Sequence, residues 1–192
     1  MADLERQISA LLPQGIVLAS ADLTKAQPPL WPQEVIAPAV SSRISEFAAG
    51  RAAARAALRA LGRPEQAIPV GPDRAPIWPK GITGSISHCA GACMAMLADQ
   101  RTFAAVGLDL EPLLPIQPDL WPSILRAPEL ARLDALPPDQ RGLQALRMFV
   151  AKEATFKAQF MVTRAMIGFD VIEITCAGDM FFARFAQAAA SF

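Results

Sequence analysis

The sequence predicts an α+β fold made of two similar lobes, and three observations carry that expectation. Residues 40–61 and 139–160 place apolar side chains at helical spacing. Short runs at strand spacing lie on either side of Ala90-Gly91 and across 103–111. In each half the helix comes first and the strands follow, which points to a duplicated unit with its seam near 102–108. No repeat is visible in the residues themselves. The expected lobes are 1–104 and 105–192.

Residues 4–12 read as a short helix and 16–19 as a strand. Residues 27–38 are rich in proline and read as loop. The alanine-rich helix at 40–61 is closed by Gly62 with Pro64 just beyond, the punctuation expected at a helix C-terminus. Residues 69–79 form a second loop, with Gly71-Pro72-Asp73-Arg74 as its turn. Two strands then flank Ala90-Gly91, and 103–111 reads as a further strand. Prolines break 118–136 into short helices. A long helix follows at 139–160, and after it a strand pair near 167–175 and 180–184.

With 192 residues, 53% of them hydrophobic, the chain can bury a core as one compact domain or as two small lobes. Lys and Arg total 18, as do Asp and Glu, so the formal net charge is zero. That balance argues against a nucleic-acid binder working through a broad basic surface. The start, Met1-Ala2-Asp3-Leu4-Glu5-Arg6, is too charged for a signal peptide. No apolar run is long enough to span a bilayer, so a cytoplasmic protein without membrane contact is expected. Cys89 and Cys93 lack the companions of a zinc site, and the three cysteines are expected to be small buried thiols in a reducing compartment.

On the 139–160 helix, about 100° per residue gathers Leu143, Leu146, Phe149, Val150, Phe156 and Phe160 on one arc. Glu153 and Lys157 fall inside that arc, whereas Lys152 points off it. A Glu-Lys pair at i,i+4 is ordinary on an exposed face. On a buried face, charges need a partner or a metal, and that placement favours a functional pair. The 40–61 helix repeats the pattern: Val40, Ile44, Phe47, Ala54, Leu58 and Leu61 define its arc, Arg51 projects into it, and Arg43 and Arg55 stand on either side. One arginine can snorkel. Three on adjoining positions suit phosphate, whose oxygens match guanidinium forks.

Asp109 and Glu111 alternate with Leu108 and Leu110, so a strand would put both carboxylates on one face. Such a pair is either a solvated face or, joined by a helical glutamate, a ligand set for magnesium, which takes a few carboxylates beside waters and phosphate oxygens. His88, the only histidine, follows Gly84-Ser85-Ile86-Ser87. It is either structural or, with the small hydroxyls, a phosphate-oxygen site to which Gly84 would give close backbone approach. The run is not Gly-x-Ser-x-Gly, and neither a Walker A loop nor Gly-x-Gly-x-x-Gly occurs, so the nucleotide and hydrolase folds built on those motifs are unsupported.

These pieces together resemble a known family, the 4′-phosphopantetheinyl transferases of the surfactin-synthetase and enterobactin-synthetase-associated type. The resemblance rests on Gly50-Arg51 with Arg55, the run from Gly71 to Pro79, Gly84-Ser85-Ile86-Ser87-His88, Gly107-Leu108-Asp109-Leu110-Glu111 and Ala151-Lys152-Glu153-Ala154-Thr155-Phe156-Lys157. They stand in the family's order over residues 43–160. The resemblance implies a pseudo-dimeric fold with the active site in the cleft between two lobes. The first lobe would bind the adenosine and phosphates of coenzyme A, and the second would carry the magnesium and catalytic residues. It also implies transfer of 4′-phosphopantetheine from coenzyme A to a serine of an apo acyl or peptidyl carrier protein, releasing adenosine 3′,5′-bisphosphate.

By the same resemblance Asp109, Glu111 and Glu153 would hold magnesium, and Lys157 would contact the pyrophosphate. Lys152 would hold phosphate or orient the site. Ser87 and His88 would meet coenzyme A phosphates, with Arg43, Arg51 and Arg74 around the 3′-phosphate. Glu153 is also the candidate base for the carrier serine. A monomer is expected, since one chain carries both lobes. The carrier would dock near 112–121, where Leu113, Leu114, Ile116 and Leu120 sit among prolines and are either exposed or folded back on the core. Two departures are visible: Val150 replaces a common hydroxyl residue, and the chain stops at Phe192, so late elements of longer relatives are expected to be short. Two other readings remain in play: a magnesium-dependent hydrolase of nucleotide pyrophosphates, and a non-catalytic coenzyme A-binding module.

Overall fold

Strong local signals are honoured in the computed structural model, which describes residues 2–89 and 91–186. The chain divides into two compact units, Met1–Leu110 and Glu111–Phe192. Both mix helices with a small sheet.

The first unit contains helix α1 (Ala2–Ser9), strand β1 (Ile16–Asp22), helix α2 (Ser41–Ala60) and strands β2 (Ile82–Cys89) and β3 (Ala92–Asp99). The strands form an antiparallel sheet in the order β1-β3-β2. Of the expected turn at Ala90-Gly91, Ala90 lies outside the described residues; Gly91 has φ +88°, which glycine adopts without steric cost. The register pairs Ser85 with Met96 and Ser87 with Met94, so the hydroxyls share a face with the two methionines. Leu18, Met94, Met96 and Ala98 form the core on that side.

Helix α2 covers the opposite face, where Ala53, Ala54, Ala57 and Leu58 pack with Ile82, Ala95 and Leu97. Its alanines let helix and sheet approach closely, and a Cβ added at Gly50 would lie 3.0 Å from Ile86 Cγ2. The helix ends as its sequence predicts. Gly62 turns left-handed at φ +72°, Arg63 N donates to Leu58 O and Gly62 N donates to Arg59 O, each at 2.9 Å. This is the Schellman closure that satisfies the last carbonyls.

Residues 103–111 overturn one expectation: they form no strand. Val106 and Leu108 are buried in alternation, as the pattern requires, but the segment runs over the face of the sheet rather than along its edge. Its backbone is held by serine side chains instead of a neighbouring strand. Ser85 Oγ donates to Leu108 O at 3.4 Å, and Leu110 N donates to Ser87 Oγ at 3.1 Å. Period-two burial reports an extended backbone and cannot report what bonds it.

The second unit contains helices α3 (Trp121–Ile124), α4 (Ala127–Asp134) and α5 (Pro138–Thr163), then strands β4 (Ile172–Ala177) and β5 (Met180–Phe185). Leu125, Leu133, Ala145, Met148, Ile172 and Ile174 form its core. Strand β4 starts later than expected because Phe169–Val171 makes a short 3-10 turn first. Beyond β5, residues 187–192 lie outside the described residues.

Candidate functional site

In the first unit the sheet divides the expected phosphate residues between its faces. Ser87 points toward the 103–110 segment, where its hydroxyl donates to Asp109 Oδ1 at 3.1 Å while accepting from Leu110 N. His88, one residue on, faces α2. There Arg43 Nη1 lies 3.1 Å from His88 Nε2 and donates to Glu46 Oε2 at 3.2 Å. The structure therefore joins His88 to Arg43 and joins Ser87 to Asp109, rather than placing Ser87 beside His88. Gly84 also has a different task from the one expected. A Cβ there would collide with Leu97 Cδ2 and come within 2.8 Å of the Trp78 ring, so the glycine makes room for side chains on the α2 face.

Arg51 enters the apolar face of α2 as its spacing predicts and is 5% exposed. Its Nε donates to Ile68 O at 2.7 Å, and its guanidinium carbon lies 4.0 Å over the Phe47 ring. Burial draws its pKa down to about 10, against the nearby Glu34 carboxylate, so it stays charged at neutral pH. Arg55 is buried too, ion-paired with Glu34 and 4.9 Å over the Trp31 ring. Glu34 further accepts Ile68 N at 3.1 Å and Trp31 N at 3.0 Å. This buried carboxylate ties the proline-rich loop to α2, and no periodic pattern announces it. Arg74 is exposed, in a turn where it adopts φ +67°.

In the second unit Glu153 and Lys157 are half-buried on α5. Glu153 borders a cavity of about 190 Å³ lined also by Phe156, Ile167, Gly168 and Phe169. Lys152 corrects the helical-wheel reading. It is 0% exposed, ion-paired with the equally buried Glu129 at 2.6 Å, and Nζ donates to Phe169 O at 3.1 Å. Ala145, Leu146, Met148, Gln159 and Phe160 are buried with it, so the buried arc of α5 keeps Leu146 and Phe160 of the expected set but is rotated from that arc toward Lys152. A wheel weighted by hydrophobicity misses a buried lysine by construction.

Glu129 is not marked by periodicity, although it carries a local signature in the sequence. It follows Ala127-Pro128 at the start of α4 and accepts Arg126 N at 2.7 Å, the reach-back of a helix-capping glutamate. It also accepts Ile174 N at 2.6 Å. One carboxylate thus joins α4, β4 and α5, and through Lys152 it holds the carbonyl of Phe169, a residue that lines the same cavity as Glu153.

Glu111 is exposed. Among the described residues no three His, Cys, Asp or Glu side chains converge as a metal site. A larger groove of about 650 Å³ lies along α5 between Arg132, Leu143, Gln144 and Cys176, and none of the expected site residues lines it. Cys176 is exposed, against expectation, because the outer half of the β4–β5 hairpin is bare. Cys93 is buried, and burial pushes its thiol up to about 12. In the 112–121 stretch, Leu113, Leu114 and Leu120 are exposed. Trp121 and Ile116 fold back, with Trp121 Nε1 donating to Ile116 O at 2.9 Å. No helix among the described residues is long and apolar enough to cross a membrane.

Comparison with known proteins matches the sequence of this chain to one family. Residues 31–98 match the model of the 4′-phosphopantetheinyl transferase N-terminal domain, and residues 105–189 match that of the 4′-phosphopantetheinyl transferase superfamily. The chain is 35% identical over 180 residues to 4′-phosphopantetheinyl transferase Npt of Nocardia iowensis, covering 88% of this chain and 76% of that protein. It is 38% identical over 181 residues to 4′-phosphopantetheinyl transferase Svp of Streptomyces mobaraensis, covering 90% and 72%. Over 138 residues it is 40% identical to enterobactin synthase component D of Salmonella typhi, covering 69% of this chain and 55% of that protein.

Proposed function

This chain belongs to the 4′-phosphopantetheinyl transferase superfamily, and we propose that it transfers 4′-phosphopantetheine from coenzyme A to a serine of an apo acyl or peptidyl carrier protein. The serine oxygen bonds to the phosphorus that carries pantetheine, the phosphorus–oxygen bond to the neighbouring phosphate breaks, and adenosine 3′,5′-bisphosphate leaves. The observation that carries the proposal is the ordered match of both halves, with Glu153 on a cavity lined also by Phe169, whose carbonyl Lys152 holds.

Glu153 is proposed to take the serine proton, and Lys157 to offset charge on the leaving phosphate. Arg43, His88, Arg51 and Arg74 are proposed to hold coenzyme A phosphates. Arg51 keeps its charge while its Nε is engaged with Ile68 O, which supports a shared structural and binding part. Lys152 acts by orientation, since its ammonium is buried against Glu129. Ser87 is assigned to Asp109, which it orients by a hydrogen bond.

Asp109, Glu111 and Glu153 would hold magnesium. Three oxygen donors, one of them already oriented by Ser87, suit a hard divalent cation. Bound there, it would supply charge neutralisation across the pyrophosphate. The proposal includes a pseudo-dimeric arrangement with the active site in the cleft between lobes, supported by a helix followed by an antiparallel strand pair in each unit, α2-β2-β3 and α5-β4-β5. It also takes the protein as a cytoplasmic monomer.

Incubation with coenzyme A, magnesium and an apo carrier protein tests the reading by mass spectrometry. A carrier mass gain equal to phosphopantetheine is expected. Free cleavage products without carrier modification would mean a pyrophosphate hydrolase, and binding without turnover would mean a coenzyme A-binding module.

A further inference from the structure

Two of the groups assigned to coenzyme A phosphate already lie beside a carboxylate. Arg43 Nη1 donates to Glu46 Oε2 at 3.2 Å, and His88 Nε2 lies 3.6 Å from the same oxygen. Arg43 Nη1 and His88 Nε2 are themselves 3.1 Å apart, so one anionic oxygen lies beside both groups. Glu46 is otherwise built unlike the chain's structural carboxylates. Glu34 and Glu129 are buried and each accepts two backbone N–H groups as well as a cation. The Glu46 side chain is 31% exposed, its polar contacts are Arg43 and His88, and the Arg43 side chain is 55% exposed. An exposed i,i+3 pair of this kind does little for a helix and is easily broken.

We propose that Glu46 is an internal competitor for the phosphate that Arg43 and His88 receive, setting coenzyme A affinity and making displacement worthwhile only for a ligand with a highly charged phosphate at that point. This inference rests on the reading that Arg43 meets the 3′-phosphate and that His88, beside it, meets a coenzyme A phosphate. In the free protein the carboxylate keeps the two groups together in the absence of ligand. When a phosphate dianion arrives, its oxygens replace Glu46 Oε2 on Arg43, and the released carboxylate stays nearby as a repelling charge. A ligand lacking the 3′-phosphate leaves Glu46 in place and neither gains nor loses by it. The carboxylate therefore lowers absolute affinity, and its removal should favour the phosphorylated ligand selectively.

Calorimetry with coenzyme A and dephospho-coenzyme A on wild type, Glu46→Gln, Arg43→Ala and the double variant tests this. The glutamine is isosteric and helix-compatible, and Glu46→Ala serves as a second variant with the same expectation. Glu46→Gln should tighten coenzyme A by about three- to tenfold, the upper figure being about 1.4 kcal/mol, and leave dephospho-coenzyme A unchanged. The gain should shrink with added salt and vanish in the Arg43→Ala background. Unchanged or weaker coenzyme A binding in Glu46→Gln, with Arg43→Ala still weakening it, would overturn the competitor role alone and make Glu46 a support for Arg43. If Arg43→Ala binds coenzyme A as wild type does, the phosphate assignment beneath the inference fails and the inference goes with it.

Discussion

Arg74 holds its backbone at φ +67°, a region where a side chain other than glycine's meets its own carbonyl. The Gly71–Ala75 turn imposes that angle, with Gly71 N donating to Ala75 O at 2.8 Å and Arg74 N to Gly71 O at 3.0 Å. Arg74→Gly should therefore raise stability by about 0.5–1 kcal/mol in urea unfolding. The same change should weaken coenzyme A binding, because it removes a guanidinium proposed for the phosphate. Calorimetry separates the two effects: a stabler variant with wild-type affinity would remove Arg74 from the phosphate set. Glu153→Gln is the complementary case. It preserves shape at a half-buried position, so circular dichroism should be unchanged, while carrier loading should fall by about 100-fold or more. A folded variant that loads carrier normally would exclude Glu153 as base or ligand. Both residues were legible in the sequence, because turn chemistry and helical spacing act locally. Glu34 and Glu129 were not, because their partners lie on elements distant in sequence.

The elements of the second unit converge on a buried charge pair, which makes their packing pH-sensitive. Burial holds the Lys152 ammonium below its ordinary pKa of 10.5, and the hydrogen bond and charge of Glu129 oppose that shift. Between the depressed value and 10.5 the unfolded chain binds more protons than the folded one, so stability rises with pH through that window. Below the window both states carry the proton and this contribution is flat. Lys152→Met leaves Glu129 buried without its cation and should destabilise the fold by about 3–5 kcal/mol. The gap between wild type and this variant should widen as pH climbs toward 10.5, measured by urea unfolding at a series of pH values. A gap independent of pH would mean that Lys152 titrates alike in both states. At this scale the sequence was readable in unequal measure. Helix α2 announced its length and its end, since apolar spacing and Gly62 report local geometry. The 103–111 segment announced its alternation but not its partner, because Ser85 and Ser87 can replace a strand only where the sheet face has been built. On α5 the large apolar residues outlined only part of the buried arc, Leu146 and Phe160, since a lysine ion-paired with Glu129 is buried as firmly as a leucine.

The whole chain has 18 basic and 18 acidic side chains and no net charge, so the molecule as a whole has no monopole with which to draw in a charged partner. Recognition of a carrier protein must then rest on short-range contact, and one stretch offers it. Leu113 is 79% exposed and Leu114 67%, directly after the Asp-x-Glu pair, while Leu120 is exposed a turn further on. These leucines are held outward by their neighbours rather than left loose. Ile116 N donates to Gly142 O at 3.1 Å, and Trp121 Nε1 closes back on Ile116 O, so the stretch is anchored to α5 between its exposed residues. Gly142 permits that anchor, since a Cβ there would lie 2.7 Å from Pro115 Cβ. The sequence left open whether this stretch was exposed or buried, and the structure divides it, Ile116 and Trp121 inward and Leu113 and Leu114 outward. An apolar pair fixed on a rigid support suits docking, because little order must be imposed when a partner arrives. Leu113→Ser with Leu114→Ser should raise KM for carrier protein by about three- to tenfold and leave coenzyme A affinity within error of wild type. The exposed positions predict little change in thermal stability for this double variant. Added salt should change wild-type kcat/KM for carrier only modestly, since long-range attraction contributes little at zero net charge. Wild-type KM in the folded double variant would move docking to another surface, and a steep salt dependence would mean that local charge, not the leucine pair, brings the carrier in.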